Sequence, residues 1–245
     1  MLEGPPSWKG KNVFGTSGDS FSFTVDGAQA EYAVLKEDCV AMMPTNIDFA
    51  QAATMGTPFT TASLTLSRAS IKPEDTVMVL GATGSVGSVI TQLAAAHGCK
   101  TISVGRHGTD VNSVEDPSLQ RAKELTEGKG PDIVVDTVGD FALVHAAIEI
   151  MAYEGRFVFI TAPRTGSTQI PVDILDLYRR GLSLVGCNSA SQPQQIMAKM
   201  LSEMVPMIES GKLKAPELKG WEMIPIERAL EAYEGKVKKG VIMFD

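Results

Sequence analysis

The chain has 245 residues, 44% of them apolar and 21% charged, enough for a sizeable core in one or two domains. A formal net charge of −7 with no long basic run argues against nucleic acid as a partner. No apolar segment nears the ~20 residues of a membrane span. Cys39, Cys99 and Cys187 are odd in number and far apart, and the N-terminus has no signal-peptide character. Free thiols in a reducing, cytoplasmic compartment are expected. His97, His107 and His145 show no metal-ligand spacing.

The N-terminal part, to about Asn46, reads as β structure. Residues 12–15 suggest a short strand, residues 17–20 a turn, and residues 28–35 a second strand that carries Tyr32. Residues 49–70 read as helical with an interruption at Gly56-Thr57-Pro58. Then comes the most informative stretch. Residues 76–80 form a Val-rich apolar run, as a strand buried on both faces should. Gly81-Ala82-Thr83-Gly84-Ser85-Val86-Gly87 is a glycine-rich turn, and residues 88–98 have helical periodicity ending at Gly98. Strand, glycine turn and helix in that order are the context of a dinucleotide-binding fingerprint, here Ala82-x-Gly84-x-x-Gly87. Gly84 lets a pyrophosphate approach the backbone, Gly87 lets helix pack on strand, and the N–H groups at the helix start face the anion. A tight turn with no ligand is the plain alternative.

A β–α alternation follows, which predicts a mostly parallel sheet of the doubly wound α/β class. Residues 100–104 are the second strand. Only Gly105-Arg106-His107-Gly108-Thr109 separate them from residues 110–114, the natural third strand. Five residues cannot return a chain to the same end of a sheet, since a parallel crossover needs a dozen or more. Either the third strand is lost or this stretch is an irregular edge. Asp116 as N-cap and Pro117 at the first position predict a helix over residues 116–125. Further strands are expected at 132–136, 156–160 and 182–185, and helices at 141–151 (capped by Asp140), 172–180 and 194–210, the last kinked at Pro206. Met197, Met200, Met204 and Met207 share a face of that helix, which points to core packing before any cofactor role. Residues 221–226, a short helix to Tyr233 and residues 240–244 close the chain.

Several stretches together resemble the medium-chain dehydrogenase/reductase superfamily, in its zinc-free quinone oxidoreductase and enoyl reductase branch. They are Gly27-Ala28-Gln29-Ala30-Glu31-Tyr32, the glycine turn, Gly130-Pro131-Asp132-Ile133-Val134-Val135-Asp136-Thr137-Val138-Gly139, Gly155-Arg156-Phe157-Val158-Phe159-Ile160 and Lys239-Gly240-Val241-Ile242-Met243-Phe244. The resemblance implies a Rossmann domain, here residues 50–211, inserted into a GroES-like barrel, here residues 1–49 and 212–245, with NAD(P)H delivering hydride between them. Members of the family carry several dozen residues before the stretch matching Lys11-Asn12-Val13-Phe14-Gly15. Those residues build about half the barrel and, in alcohol dehydrogenases, supply zinc ligands. They have no counterpart here, so a truncated barrel and zinc-free chemistry are expected.

Arg106 directly follows the second strand, where NAD-preferring sites place a carboxylate; an arginine suits a 2′-phosphate, so NADPH is favoured over NADH. Thr137 and Val138, Thr161, and Asn188 each follow a sheet strand at its C-terminal end, where ligands bind in open α/β sheets, or are plain loop residues. Tyr32 is the candidate acid for reducing a polarised double bond, beside a structural packing role. The leading function is a soluble NADPH-dependent oxidoreductase acting on a quinone, an enone or another activated double bond. The alternatives are a cofactor-binding or structural dimer without turnover, and a non-redox enzyme on the same scaffold. Leu182-Ser183-Leu184-Val185-Gly186 reads as a bare edge strand and predicts a homodimer joined there.

Overall fold

A computed structural model describes residues 4–244. In chain order the elements are β1 (Val13–Phe14), β2 (Ala41–Met42), α1 (Phe49–Arg68), β3 (Thr76–Leu80), α2 (Ser85–Ala96), β4 (Lys100–Gly105), β5 (Val111–Asn112), α3 (Gln120–Leu125) and β6 (Ile133–Asp136). Then follow α4 (Phe141–Ile150), β7 (Arg156–Phe159), α5 (Ile174–Arg180), β8 (Ser183–Gly186), α6 (Gln194–Glu209), β9 (Glu222–Pro225), α7 (Ala229–Tyr233) and β10 (Gly240–Met243). Two compact units result, one from Thr61–Ser189 and one from Met1–Thr60 with Ala190–Asp245.

The Thr61–Ser189 unit is built on a six-stranded parallel sheet in the order β5-β4-β3-β6-β7-β8. This is the doubly wound, Rossmann-like α/β arrangement expected. Consecutive buried residues in β3 and β6 show that both faces of the sheet centre are covered, since neighbouring side chains point to opposite faces. The core joins Met78, Leu80 and Ile102 of the sheet to Val144, Ala147 and Ile150 of α4. β7 is tied down by a partly buried ion pair: Arg156 meets the buried Asp75 at 2.6 Å and also donates to the carbonyls of Ala69 and Ser70 at 2.9 Å.

The third strand is shortened to a two-residue edge, Val111↔Val104 and Asn112↔Gly105. The loop does not have to carry the chain back to the start of β4, because β5 pairs only with its last two residues. The expected helix over residues 116–125 is corrected to a start at Gln120. Leu119 is fully buried and adopts φ +58°, a left-handed conformation that a helix cannot contain. Asp116 nevertheless serves the helix start, accepting from Gln120 N, Arg121 N and Ser118 Oγ. Burial would raise its pKa, but these bonds outweigh burial and hold it below the ordinary carboxylate value.

In the other unit, β1 pairs antiparallel with β2, and β9 pairs parallel with β10. The strand expected over residues 28–35 does not form. It finds no partner among the described residues, and Val34 is 98% exposed with no neighbour to bury it. The interruption expected at Gly56-Thr57-Pro58 is also corrected, since α1 runs through Pro58. Buried Met55 and Phe59 hold this part of the helix, and the bare Cα of Gly56 admits the Gly15 carbonyl, which a Cβ would overlap. α6 continues through Pro206 to Glu209, with Met197 and Met204 buried, as core packing requires.

Candidate nucleotide site

The sheet changes winding direction beside β3, which lies between β4 and β6. Open α/β sheets bind ligands at such a switch point, outside the carboxyl ends of the strands. Here the turn after β3 is tied to β4, and the turn after β6 to the end of β3. Gly81 N and Ala82 N donate to Val104 O at 2.9 and 3.1 Å, and Thr137 Oγ1 donates to Leu80 O at 2.7 Å. Gly81 has φ +79°, and a Cβ there would overlap the Thr137 hydroxyl oxygen, so only glycine serves.

The two fingerprint glycines differ in their surroundings. A Cβ on Gly87 would overlap the Gly81 carbonyl oxygen, so this position sets how closely α2 packs on the turn. A Cβ on Gly84 would meet only Gly81 O, at 3.2 Å. Gly84 is the N-cap of α2, with no side chain capping the helix. The N–H groups of the first turn are thus left for an anion.

Asp136, at the end of β6, is buried and orders the following turn by accepting from Val138 N at 2.9 Å and Gly139 N at 3.0 Å. Burial raises its pKa; the Gly139 and Val138 N–H groups act against that, and Asp140 adds to it.

A cavity of about 680 Å³ opens at these turns. Thr83 and Gly84 from the turn after β3, Arg106 from the turn after β4, and Thr137 and Val138 from the turn after β6 line it. The Arg106 side chain is exposed, and its guanidinium pairs with no described residue. Asp140 also lines the cavity, but its carboxylate is engaged as the N-cap of α4, accepting from Ala142 N and Leu143 N. An uncapped helix start, an open glycine and an unpaired guanidinium around one cavity fit a phosphate-bearing nucleotide.

The structure therefore brings together Thr83, Gly84, Arg106, Thr137 and Val138. Ala82, Ser85, Val86 and Gly87 build the turn and helix start behind them. Thr161 and Asn188 follow β7 and β8 in the same unit, both exposed, and do not line this cavity. Tyr32 lies in the other unit, 66% exposed. Sequence reasoning passed over Ser113, Val114, Pro117 and Leu143, which also line the cavity. No local pattern marks the first three, because their place depends on how the chain turns back after β4. Asp136 carried a signal in retrospect, as a carboxylate directly ahead of a Thr-Val-Gly turn. Among the described residues, no three His, Cys, Asp or Glu side chains gather so as to hold a metal ion.

Residues 85–206 match the family model described as zinc-binding dehydrogenase. A zinc-type alcohol dehydrogenase-like protein of Schizosaccharomyces pombe is 42% identical over 234 residues, covering 95% of this chain and 71% of that protein. The quinone oxidoreductase of Sus scrofa is 27% identical over 243 residues, covering 92% of this chain and 68% of its own length. Among solved structures, an alcohol dehydrogenase superfamily protein from Novosphingobium aromaticivorans superposes with a TM-score of 0.76 at 24% identity, covering 92% of this chain and 70% of that one. With this degree of identity to a relative covered over more than two thirds of its length, the chain belongs to the medium-chain dehydrogenase/reductase superfamily of pyridine-nucleotide oxidoreductases.

Proposed function

We propose that the chain is a zinc-independent, NADPH-dependent oxidoreductase that reduces a quinone, an enone or another activated double bond of a small molecule. The observation that carries the choice of nucleotide is Arg106, an unpaired guanidinium at the end of β4 on the wall of the cavity. The nearby carboxylates are engaged elsewhere: Asp140 caps α4, and Asp110 accepts from Ser103. A guanidinium holds a 2′-phosphate, whereas a free carboxylate would hold the ribose hydroxyls of NADH.

In this reading the N–H groups at the start of α2 hold the pyrophosphate against Gly84, and Thr83 closes the wall. Thr137 spends its hydroxyl hydrogen on Leu80 O, so it offers the ligand only an acceptor. The bound nicotinamide supplies the hydride. Asn188 and Thr161, which follow the carboxyl ends of β8 and β7, attend the nicotinamide end. The similarity to a quinone oxidoreductase supports the substrate class. Three cysteines, odd in number, far apart in the sequence and free, support a reducing cytoplasmic compartment. We further propose a homodimer joined through Leu182 to Gly186, since β8 ends the sheet and most of its residues are exposed.

Calorimetric titration with NADPH and NADH, followed by nicotinamide oxidation with a panel of quinones and enones, tests this. NADPH should bind about tenfold more tightly than NADH or better, and at least one acceptor should support oxidation. Binding without oxidation would point to a cofactor-binding protein. Binding of neither nucleotide would leave a non-redox enzyme on this scaffold.

A further inference from the structure

The connection between β4 and β5 is too short for a helix, and a pair of side chains does part of the work of a strand. Backbone pairing begins at Val104↔Val111. One residue earlier, the edge N–H of Ser103 donates to Asp110 Oδ2 at 2.8 Å, and Ser103 Oγ donates to the same oxygen at 2.7 Å. Asp110 N in turn donates to Ser103 Oγ at 3.0 Å. Thr109 Oγ1 donates to Val111 O at 2.9 Å and Ser113 N to Gly105 O at 2.9 Å, which completes the base of the turn. The tip is bare by comparison. His107 is exposed, and Gly108 has φ +66° with no atom near the site of a Cβ. Arg106 is the tip residue that lines the cavity.

From this arrangement we propose that Ser103 and Asp110 are positioning residues for the nucleotide site: they clamp the base of the turn so that Arg106 meets the 2′-phosphate of NADPH. The proposal rests on the NADPH reading above. A guanidinium on a loosely held turn must be ordered when the ligand arrives, which weakens binding; a clamped turn has been ordered by folding. The clamp also turns the one acid of this turn, Asp110, onto β4, and it does not line the cavity.

The test is calorimetric titration of NADPH and NADH against the full chain and four variants. Asp110→Ala should weaken NADPH by about fivefold to tenfold while NADH changes by less than about twofold. Asp110→Asn keeps a carbonyl oxygen for both Ser103 donors and should bind NADPH within about twofold of the parent. Ser103→Ala leaves the backbone bond to Asp110 in place and should fall between them; it supplies the answer if Asp110→Ala does not fold. A variant that merely loosens the fold would not move the ratio between the two nucleotides. Arg106→Ala separates the two ideas. If it abolishes the preference for NADPH while Asp110→Ala and Ser103→Ala leave that preference intact, the clamp is wrong and the NADPH reading stands. If Arg106→Ala leaves the preference intact as well, the NADPH reading falls and takes the clamp with it.

Discussion

Gly84 and Gly87 stand three residues apart and are glycines for different reasons. Gly87 is needed by the fold, because a Cβ would overlap the Gly81 carbonyl. Gly87→Ala should therefore destabilise by about 1–3 kcal/mol in urea unfolding, as overpacking does. Gly84 has ordinary φ of −77° and room on its cavity side. Gly84→Val should leave a folded protein yet weaken NADPH at least about tenfold, or about 1.4 kcal/mol; equal affinity in a folded variant would remove the pyrophosphate from this turn. Arg106→Ala should reduce NADPH affinity selectively, since only NADPH carries the extra phosphate. Asp136 gives a pH signature. Its folded pKa is raised, so the native state binds the proton more tightly than the unfolded chain, and stability declines as pH rises from the ordinary carboxylate range through the raised pKa. Asp136→Asn keeps an acceptor for Val138 and Gly139 and should remove that decline; denaturant midpoints across mildly acid pH would show it. Asp116 has the opposite sign, because its lowered pKa contributes stability that is lost as pH falls through it.

At the scale of elements, partners decide what propensity only suggests. Residues 28–35 have the composition of a strand and form none, because a strand is stabilised by pairing and none is on offer among the described residues. β5 is the reverse case: two residues become a strand because β4 presents its last two to them. β7 depends on the side of Arg156 that faces Asp75 and two carbonyls. Arg156→Met leaves Asp75 buried without its cation and should cost about 3 kcal/mol, read from the urea midpoint. α3 begins late because the burial of Leu119 outweighs the capping signal at Asp116.

For the whole molecule the open question is assembly. β8 is the last strand of the six-stranded sheet, and most of its residues are exposed, including Leu184. The neighbouring α5 buries none of its residues, and Ile174, Leu175 and Tyr178 are exposed. An unpaired edge beside exposed apolar side chains favours a second copy, and a two-fold axis there would join two sheets into one. Light scattering at micromolar concentration should give a dimeric mass, and Leu184→Pro should return a folded monomer by removing an edge N–H. A monomeric parent, or a dimer indifferent to Leu184→Pro, would defeat this.

The strand, glycine turn and helix from Thr76 onward were legible in the sequence because each signal is local: a Val-rich run, glycines at fixed spacing, helical periodicity. The Asp140 cap sits at the start of α4 for the same reason, since a carboxylate two residues ahead reaches the first N–H groups wherever it occurs. The shortness of the link after β4 was also legible, because it needs only counting. What the tertiary structure decided was everything that depends on a partner distant in sequence. Gly81 must admit Thr137, Ser103 meets Asp110 across the turn, and Ser113, Val114 and Pro117 come to the cavity only because β5 joins the end of β4. A sequence shows which side chains are able to make such contacts; only the folded chain selects among them, through burial and backbone pairing that no local window contains.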